Sequence, residues 1–178
     1  MIMKKIFSVR KLAICGILTA LALISFIIES LFPPLLIPGA RLGVSNAFIL
    51  LTLIFAGAPY AFAALILKCF LGSLFAGNIS AILYSLPAGI VSLSLETVIL
   101  LFYKKFSVVS ASTAGGVINL TVQNLVFCLI TDTAQYLYYL PYLALIGAIS
   151  GLTVGFIVYL VVKFLPKPLT DKLYTWRN

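Results

Sequence analysis

The sequence contains no histidine, and its 178 residues include only four acidic side chains, those of Glu29, Glu96, Asp132 and Asp171. Because imidazole is absent, histidine-based metal sites and histidine acid–base catalysis are excluded. The four carboxylates are far apart in the sequence, which makes a paired-carboxylate or metal-dependent enzyme difficult to build. The sequence also lacks a Gly-x-x-x-x-Gly-Lys-Ser/Thr phosphate-binding loop and an Asp-rich run. We therefore predict that the protein is not an enzyme and uses no metal or cofactor.

Charged residues are also scarce: they make up 9% of the chain, whereas 63% of its residues are hydrophobic. Soluble domains contain about 25% charged residues, so the apolar surface of this chain is expected to face lipid. The net charge of +8 does not indicate a nucleic-acid partner, because the basic residues flank apolar stretches instead of forming one basic face. The three cysteines lie in separate apolar stretches and are interpreted as small core residues: Cys15, Cys69 and Cys128.

The apolar stretches predict an all-α membrane protein. A membrane-spanning helix needs about 20 mostly apolar residues, and proline and glycine divide this chain into six such stretches. The whole chain, 1–178, is then one integral membrane domain built as a bundle of six transmembrane helices. The predicted helices cover roughly 11–31, 42–57, 59–76, 80–103, 109–131 and 140–165.

The distribution of basic residues predicts the orientation of the bundle. Lysine and arginine accumulate in cytoplasmic loops, and ten of the twelve basic residues lie near the two termini or in the loop around Lys104. Both termini are therefore expected to be cytoplasmic, which agrees with an even number of spans. These ten residues are Lys4, Lys5, Arg10, Lys11, Lys104, Lys105, Lys163, Lys167, Lys172 and Arg177.

Two ionisable residues lie well inside the apolar stretches, where an unpaired charge is costly. With a rise of about 1.5 Å per residue, Lys68 and Glu96 are expected at depths of about 12 and 10 Å from the cytoplasmic face. They also lie on consecutive antiparallel helices. We predict a structural Lys68–Glu96 ion pair, and a role for the pair in transport is the alternative.

A second polar group is expected in the outer half of the bundle. Three helices carry polar stripes that cannot face lipid comfortably and should point inward. Hydrogen bonding between helices would explain much of this pattern, but three converging stripes under a Pro/Gly-rich loop also describe a pocket open to the outside. The residues predicted to bind a solute there are Arg41, Ser45, Asn46, Ser85, Asn119 and Gln123. An arginine in such a pocket suits a carboxylate or phosphate on the solute.

Small residues recur at every fourth position in three of the predicted helices, and in the third helix they are Ala64, Gly72 and Ala76, with Lys68 at the remaining position. Gly147, Gly151 and Gly155 form one such stripe, and Gly16 and Ala20 form another. Such spacing lets helices approach closely. The pattern is compatible with internal packing, and for the first helix also with docking of a partner membrane protein.

Three segments resemble the Gx transporter family, often labelled heptaprenyl diphosphate synthase component I. They are Pro-Gly-Ala-Arg-Leu-Gly-Val-Ser-Asn at 38–46, Lys-Cys-Phe-Leu-Gly-Ser-Leu at 68–74 and Ser-Leu-Pro-Ala-Gly at 85–89. That family is similar in turn to the substrate-binding S components of energy-coupling factor (ECF) transporters. The resemblance implies a six-helix protein of the bacterial cytoplasmic membrane that holds a vitamin-like solute near the external face, with Arg41, Ser45 and Asn46 at the binding end.

The same resemblance implies partners. An S component docks through small residues of its first helix on a transmembrane T component, which two cytoplasmic ATPases drive; here Gly16 and Ala20 would occupy that surface. We also keep two other hypotheses. One is a membrane subunit associated with isoprenoid or quinone biosynthesis, as the heptaprenyl diphosphate label suggests. The other is a carrier that works without ATP.

Overall fold

The structure is a computed structural model that describes residues 9–31, 43–102 and 107–165. Within these ranges the regular elements are helices. A short 3-10 helix, Ala134–Tyr139, precedes the last α-helix. The α-helices are α1 (Val9–Leu31), α2 (Val44–Phe55), α3 (Ala58–Phe75), α4 (Ala81–Phe102), α5 (Val108–Thr131) and α6 (Leu140–Phe164). Their bounds agree with the predicted helices to within two residues at each end.

Local sequence signals explain where several helices begin. Gly43 precedes α2 with a φ of 70°, a left-handed conformation that glycine adopts at no steric cost. Pro59 occupies the first turn of α3. A backbone N–H at this position would have no acceptor within the helix, so proline loses no helical hydrogen bond there. The backbone N–H of Ser110 donates to Ser107 Oγ at 3.1 Å, so Ser107 caps the start of α5.

The lengths of the helices fit a membrane. Five helices in the described part of the chain are long and apolar enough to cross a bilayer. Large apolar side chains on their outer faces are exposed, among them Ile17, Ile24 and Leu129. Together with the composition, this makes the chain an all-helical, multi-pass membrane protein. The sixth helix, α2, has only 12 residues and extends about 18 Å, less than the roughly 30 Å of a hydrocarbon core. Six complete spans with cytoplasmic termini therefore stay a prediction.

The tightest helix pair is α5 and α6, which pack through glycines. A Cβ atom added to Gly116 would lie 2.9 Å from Gly151 Cα, and one added to Gly147 would lie 2.9 Å from Val117 Cα. One added to Gly155 would lie 2.7 Å from Val109 Cα. Only glycine permits this approach, so the α6 stripe packs inside the chain, as one of the two interpretations of its spacing predicted.

The small residues of α1 have a different environment. Gly16 has no atom within 4 Å of the position that a Cβ would take. Gly16 and Ala20 are both exposed, on the outer side of α1. The opposite side of α1 packs on α2 and α3, where Phe26 lies against Gly72. The spacing of small residues in α1 is thus not explained by packing among the described residues.

The start of α2 lies deep in the bundle. A Cβ added to Gly43 would lie 3.1 Å from the hydroxyl oxygen of Ser150. Ser150 is ten residues beyond Leu140, the first residue of α6, which places it about 15 Å along that helix. The first turn of α2 is therefore level with the middle of α6, and the polar groups at this helix end face the interior of the bundle.

Candidate functional site

A cavity of about 70 Å³ lies above the start of α2, and all six helices contribute to its wall. We call it the main cavity. Apolar side chains form part of the wall, including Phe26, Leu65 and Leu120. The polar and charged side chains around it are those of Glu29, Ser45, Asn46, Lys68, Tyr84, Ser85, Asn119, Gln123 and Ser150.

Five of the six residues predicted to bind a solute line this one cavity. Ser45 and Asn46 come from α2, Ser85 comes from α4, and Asn119 and Gln123 come from α5. The three polar stripes therefore converge, as the sequence predicted. The sixth residue, Arg41, lies outside the described residues. That these side chains bind a solute stays a prediction.

Lys68 projects from α3 towards the first turn of α2. Its ammonium donates a hydrogen bond to Asn46 Oδ1 at 2.6 Å and another to Ser45 Oγ at 3.3 Å. It also lies 5.8 Å from the centroid of the Phe26 ring. Only 5% of Lys68 is exposed, so these contacts replace the water that a buried ammonium would otherwise need.

Glu29 contributes a negative charge to the same place. Its Oε1 accepts a hydrogen bond from the backbone N–H of Ser45 at 3.2 Å. This N–H belongs to the first turn of α2, where it has no acceptor within the helix, and the positive end of the helix dipole favours a carboxylate. Glu29 and Lys68 thus both contact Ser45, Glu29 at the backbone N–H and Lys68 at the hydroxyl group.

Ser85 supplies a polar group with unused hydrogen-bonding capacity. Its hydroxyl oxygen is buried and has no hydrogen-bond partner in the described part of the chain. Ser85 also lines the main cavity. Because burying an unpaired hydroxyl is unfavourable, a polar group in the cavity would gain a ready partner at this position.

A second cavity of about 30 Å³ lies next to the main cavity. The two share part of their walls, including Asn46, Asn119 and Ser150. Glu96 lines only the second cavity, and its carboxylate packs against Gly115 of α5. The two cavities therefore form neighbouring compartments of one polar interior.

The Lys68–Glu96 ion pair stays a prediction. The charge of Lys68 acts on Glu96 electrostatically. However, the hydrogen bonds described for the ammonium lead to Asn46 and Ser45 on α2. Lys68 therefore contacts two of the residues that the sequence predicted to bind a solute.

Sequence reasoning did not include Glu29, Tyr84 and Ser150 among the binding residues, although each lines the main cavity. Ser150 adjoins the α6 glycine stripe, which was a usable signal. Tyr84 is held by an aromatic series: its ring centroid lies 5.9 Å from that of Phe127, which lies 5.0 Å from that of Tyr136. No period in the sequence indicates that series.

The remaining tyrosines near the start of α6 point elsewhere. Tyr138 and Tyr142 are 83% and 66% exposed, which fits the expected role of such residues at a membrane interface. Asn124 Nδ2 donates to the backbone oxygen of Tyr136 at 3.0 Å and fixes the 3-10 helix on α5.

Residues 18–161 match the family model described as heptaprenyl diphosphate synthase component I. The match covers most of the chain and includes parts of all six helices. The chain belongs to this family. The resemblance seen in the sequence is thereby confirmed. No curated protein and no solved structure matches the sequence.

The heptaprenyl diphosphate synthase component I family takes its description from a synthase, and the description alone assigns no catalytic residue. Among the described residues, no group of three or more Cys, Asp or Glu side chains could hold a metal ion. The polar interior of the bundle is the feature on which a functional proposal can be based.

Proposed function

We propose that this member of the family is the solute-binding membrane subunit, or S component, of an ATP-driven importer of the ECF type. The observation that supports the proposal is the convergence of five polar side chains from α2, α4 and α5 on one cavity that also contains Lys68 and Glu29. Ionisable groups are costly to bury in a membrane protein, and Lys68 and Glu29 therefore mark this cavity as a candidate substrate site.

The chemistry of the cavity suits a solute with an anionic head and an apolar body. The Lys68 ammonium and the amides of Asn119 and Gln123 can donate hydrogen bonds to a carboxylate or phosphate. Phe26, Leu65 and Leu120 offer apolar contacts. A volume of about 70 Å³ holds only a small polar group, whereas drug-sized ligands occupy about 300–1,000 Å³. A vitamin-sized solute would therefore place only its polar head in this cavity.

The proposal includes an orientation and partners. Both termini would lie in the cytoplasm of a bacterium, so that the main cavity opens outward. The exposed face of α1 around Gly16 and Ala20 would dock on a T component, and two ATPases would drive the cycle from the cytoplasmic side. The open space beside Gly16 supports this docking face, because a partner helix could approach it closely.

Affinity capture of the tagged chain from mild detergent tests the proposal. We expect a T component and an ATPase pair to co-purify with the wild-type protein. Gly16→Trp should abolish this capture, because the indole would fill the space that the partner helix needs. Thr153→Trp is a matched control, since Thr153 is exposed on α6, away from α1. Capture that Gly16→Trp leaves unchanged would refute the docking face.

The family description favours one alternative function, a membrane subunit that assists heptaprenyl diphosphate synthesis. In that case the same capture should yield a soluble prenyl synthase, and removal of the chain should change the length of the prenyl product. Uptake into liposomes separates the first proposal from a carrier that works without ATP. Sustained uptake by the purified chain alone would overturn the S-component assignment.

A further inference from the structure

Four polar side chains that line the main cavity make no hydrogen bond within the described part of the chain. They are those of Tyr84, Ser85, Asn119 and Gln123, on the neighbouring helices α4 and α5. We call them the α4–α5 wall. On α5, Asn119 and Gln123 are four residues apart, so both amides lie on one face of the helix, about 6 Å apart along its axis. The wall is therefore a continuous polar surface.

The hydroxyl group of Ser85 differs from the other serine and threonine hydroxyl groups of α4. Such groups in helices ordinarily donate to the carbonyl three or four residues before them. Ser92, Ser94 and Thr97 do so, at 3.2, 2.7 and 2.6 Å. Ser85 does not, although its hydroxyl oxygen is buried beside the main cavity. Local bonding to its own helix therefore does not account for this polar group.

The amides of Asn119 and Gln123 differ in the same way from a third amide on α5. Asn124 Nδ2 donates to the backbone oxygen of Tyr136 at 3.0 Å and so has a structural partner. Asn119 and Gln123 connect α5 to no other described residue through a hydrogen bond, and both line the main cavity. Interhelical hydrogen bonding thus explains Asn124, whereas the two cavity amides keep their capacity for a ligand.

The type of hydrogen bond that this wall offers restricts the ligand. Hydroxyl and amide groups are uncharged, and each can donate and accept. A carboxylate only accepts, so it would leave the oxygens of the two amides without a donor. A solute that displaces water from a polar group without replacing its hydrogen bonds loses affinity. A group with a donor next to an acceptor satisfies both ends of a side-chain amide.

We propose that the α4–α5 wall recognises an uncharged planar group with adjacent donor and acceptor, such as a carboxamide, lactam or ureido group of the solute. The inference rests on the proposed function, because it takes the main cavity as the solute site. Tyr84 suits a planar group: its ring lies edge-on to Phe127, with 5.9 Å between the centroids, and so forms a fixed aromatic part of the wall. An anionic group elsewhere on the same solute stays compatible with Lys68.

Three small probes of nearly equal shape test the proposal. Acetamide has a donor and an acceptor, acetone is an uncharged acceptor, and acetate is an anionic acceptor. Saturation-transfer NMR on the purified full-length chain in deuterated detergent would measure the Kd of each, in about the millimolar range for so few atoms. We expect acetamide to bind roughly tenfold more tightly than acetone and also more tightly than acetate, because each alternative leaves an amide oxygen unpaired.

Matched variants locate the binding site of acetamide. Gln123→Leu should raise its Kd roughly tenfold through the loss of one amide, whereas Gln135→Leu should not, because Gln135 is exposed on the 3-10 helix. Ser85→Ala should also weaken binding, and Ser94→Ala, at an exposed position on α4, should not. Neither Gln123→Leu nor Ser85→Ala should lower the unfolding midpoint of the chain, since neither removes a hydrogen bond of the described residues.

Three results would overturn the proposal. The first is no saturable binding of acetamide, or binding no tighter than that of acetone or acetate. The second is a preference for acetamide that persists in both Gln123→Leu and Ser85→Ala. The third is a lower midpoint in these two variants with an unchanged Kd, which indicates a structural role. The probes involve neither a T component nor an ATPase, so capture by the wild-type chain can succeed where acetamide fails, and the reverse.

Discussion

The ammonium of Lys68 lies 2.6 Å from Asn46 Oδ1 and so connects the middle of α3 to the first turn of α2. This contact, together with the one to Ser45 Oγ at 3.3 Å, holds the short helix at its depth in the bundle. It also places a positive charge at the wall of the main cavity. One side chain therefore serves both the position of α2 and the charge of the candidate site.

Replacing this lysine by a side chain of similar length tests its structural part. Lys68→Met should lower the free energy of unfolding by about 1–3 kcal/mol, because Asn46 and Ser45 lose their charged partner. Unfolding in detergent would measure the change. Lys163→Met is the control, since Lys163 is exposed near the end of α6, where its ammonium lies 5.8 Å from the Tyr159 ring. An equal effect of both substitutions would contradict the role of Lys68.

Arg41 is the residue to which the sequence assigned the anionic group of the solute. Arg41→Ala should abolish solute binding while the fold survives, since a lost bidentate contact to an anion is not replaced by other groups. Titration of the purified variant with the solute identified by native mass spectrometry would measure this. Arg10→Ala, an exposed position on α1, controls for loss of charge. Unchanged affinity of Arg41→Ala would refute the assignment.

The small-residue stripes of α6 and α1 should respond oppositely to the same substitution. Gly151→Ala should lower stability by about 1–3 kcal/mol, because overpacking displaces a helix; the new Cβ would lie 2.8 Å from Thr113 Cα. Gly16→Ala should keep or raise stability by up to about 1 kcal/mol, since alanine favours helix and the space is open. Unfolding of the two variants side by side measures the contrast. Similar losses in both would show that the face of α1 is packed.

Gly43, the left-handed glycine before α2, lines the main cavity and offers a test of its wall. Gly43→Ala should cost about 1–2 kcal/mol for the backbone conformation alone. Gly77→Ala has nearly the same φ, 69° against 70°, but open space around its Cβ. Any loss of stability in Gly43→Ala beyond that in Gly77→Ala therefore reports the contact of the new Cβ with Ser150 Oγ, at 3.1 Å. Both variants would be compared by unfolding and by solute titration. Equal stability and equal affinity would show that the contact of Gly43 with Ser150 contributes to neither.

The hydropathy of the chain and its helix-breaking residues were sufficient to predict the six helices, because proline and glycine interrupt the apolar stretches at most of their boundaries. The polar stripes were also readable: lipid excludes Asn119, Gln123 and Ser85, so their common orientation toward the interior follows from helical periodicity. The exclusion of polar groups from lipid was therefore enough to predict that these stripes converge on one cavity, without knowledge of long-range contacts.

The partner of Lys68 could not be read in the same way. Depth along a helix locates a Cα atom, whereas the lysine side chain is long enough to reach a neighbouring helix at another level. The sequence also gave no sign that α2 starts halfway along α6, which brings Asn46 to the ammonium. The small-residue stripes of α6 and α1 have the same spacing in the sequence. Only the packed helices show that Gly151 lies against α5, whereas Gly16 has no atom within 4 Å of its Cβ position.

The shortness of α2 has a consequence for biogenesis. A helix of 12 residues is too short to leave the translocon as an independent span of about 20 residues. Its first turn also exposes backbone donors that hydrocarbon cannot satisfy, and Glu29 of α1 accepts one of them. We therefore expect α2 to be inserted together with α1 as a hairpin and to reach its depth only after α3 and α6 have arrived. The order in which the nascent chain enters the bilayer would then decide when the main cavity first forms.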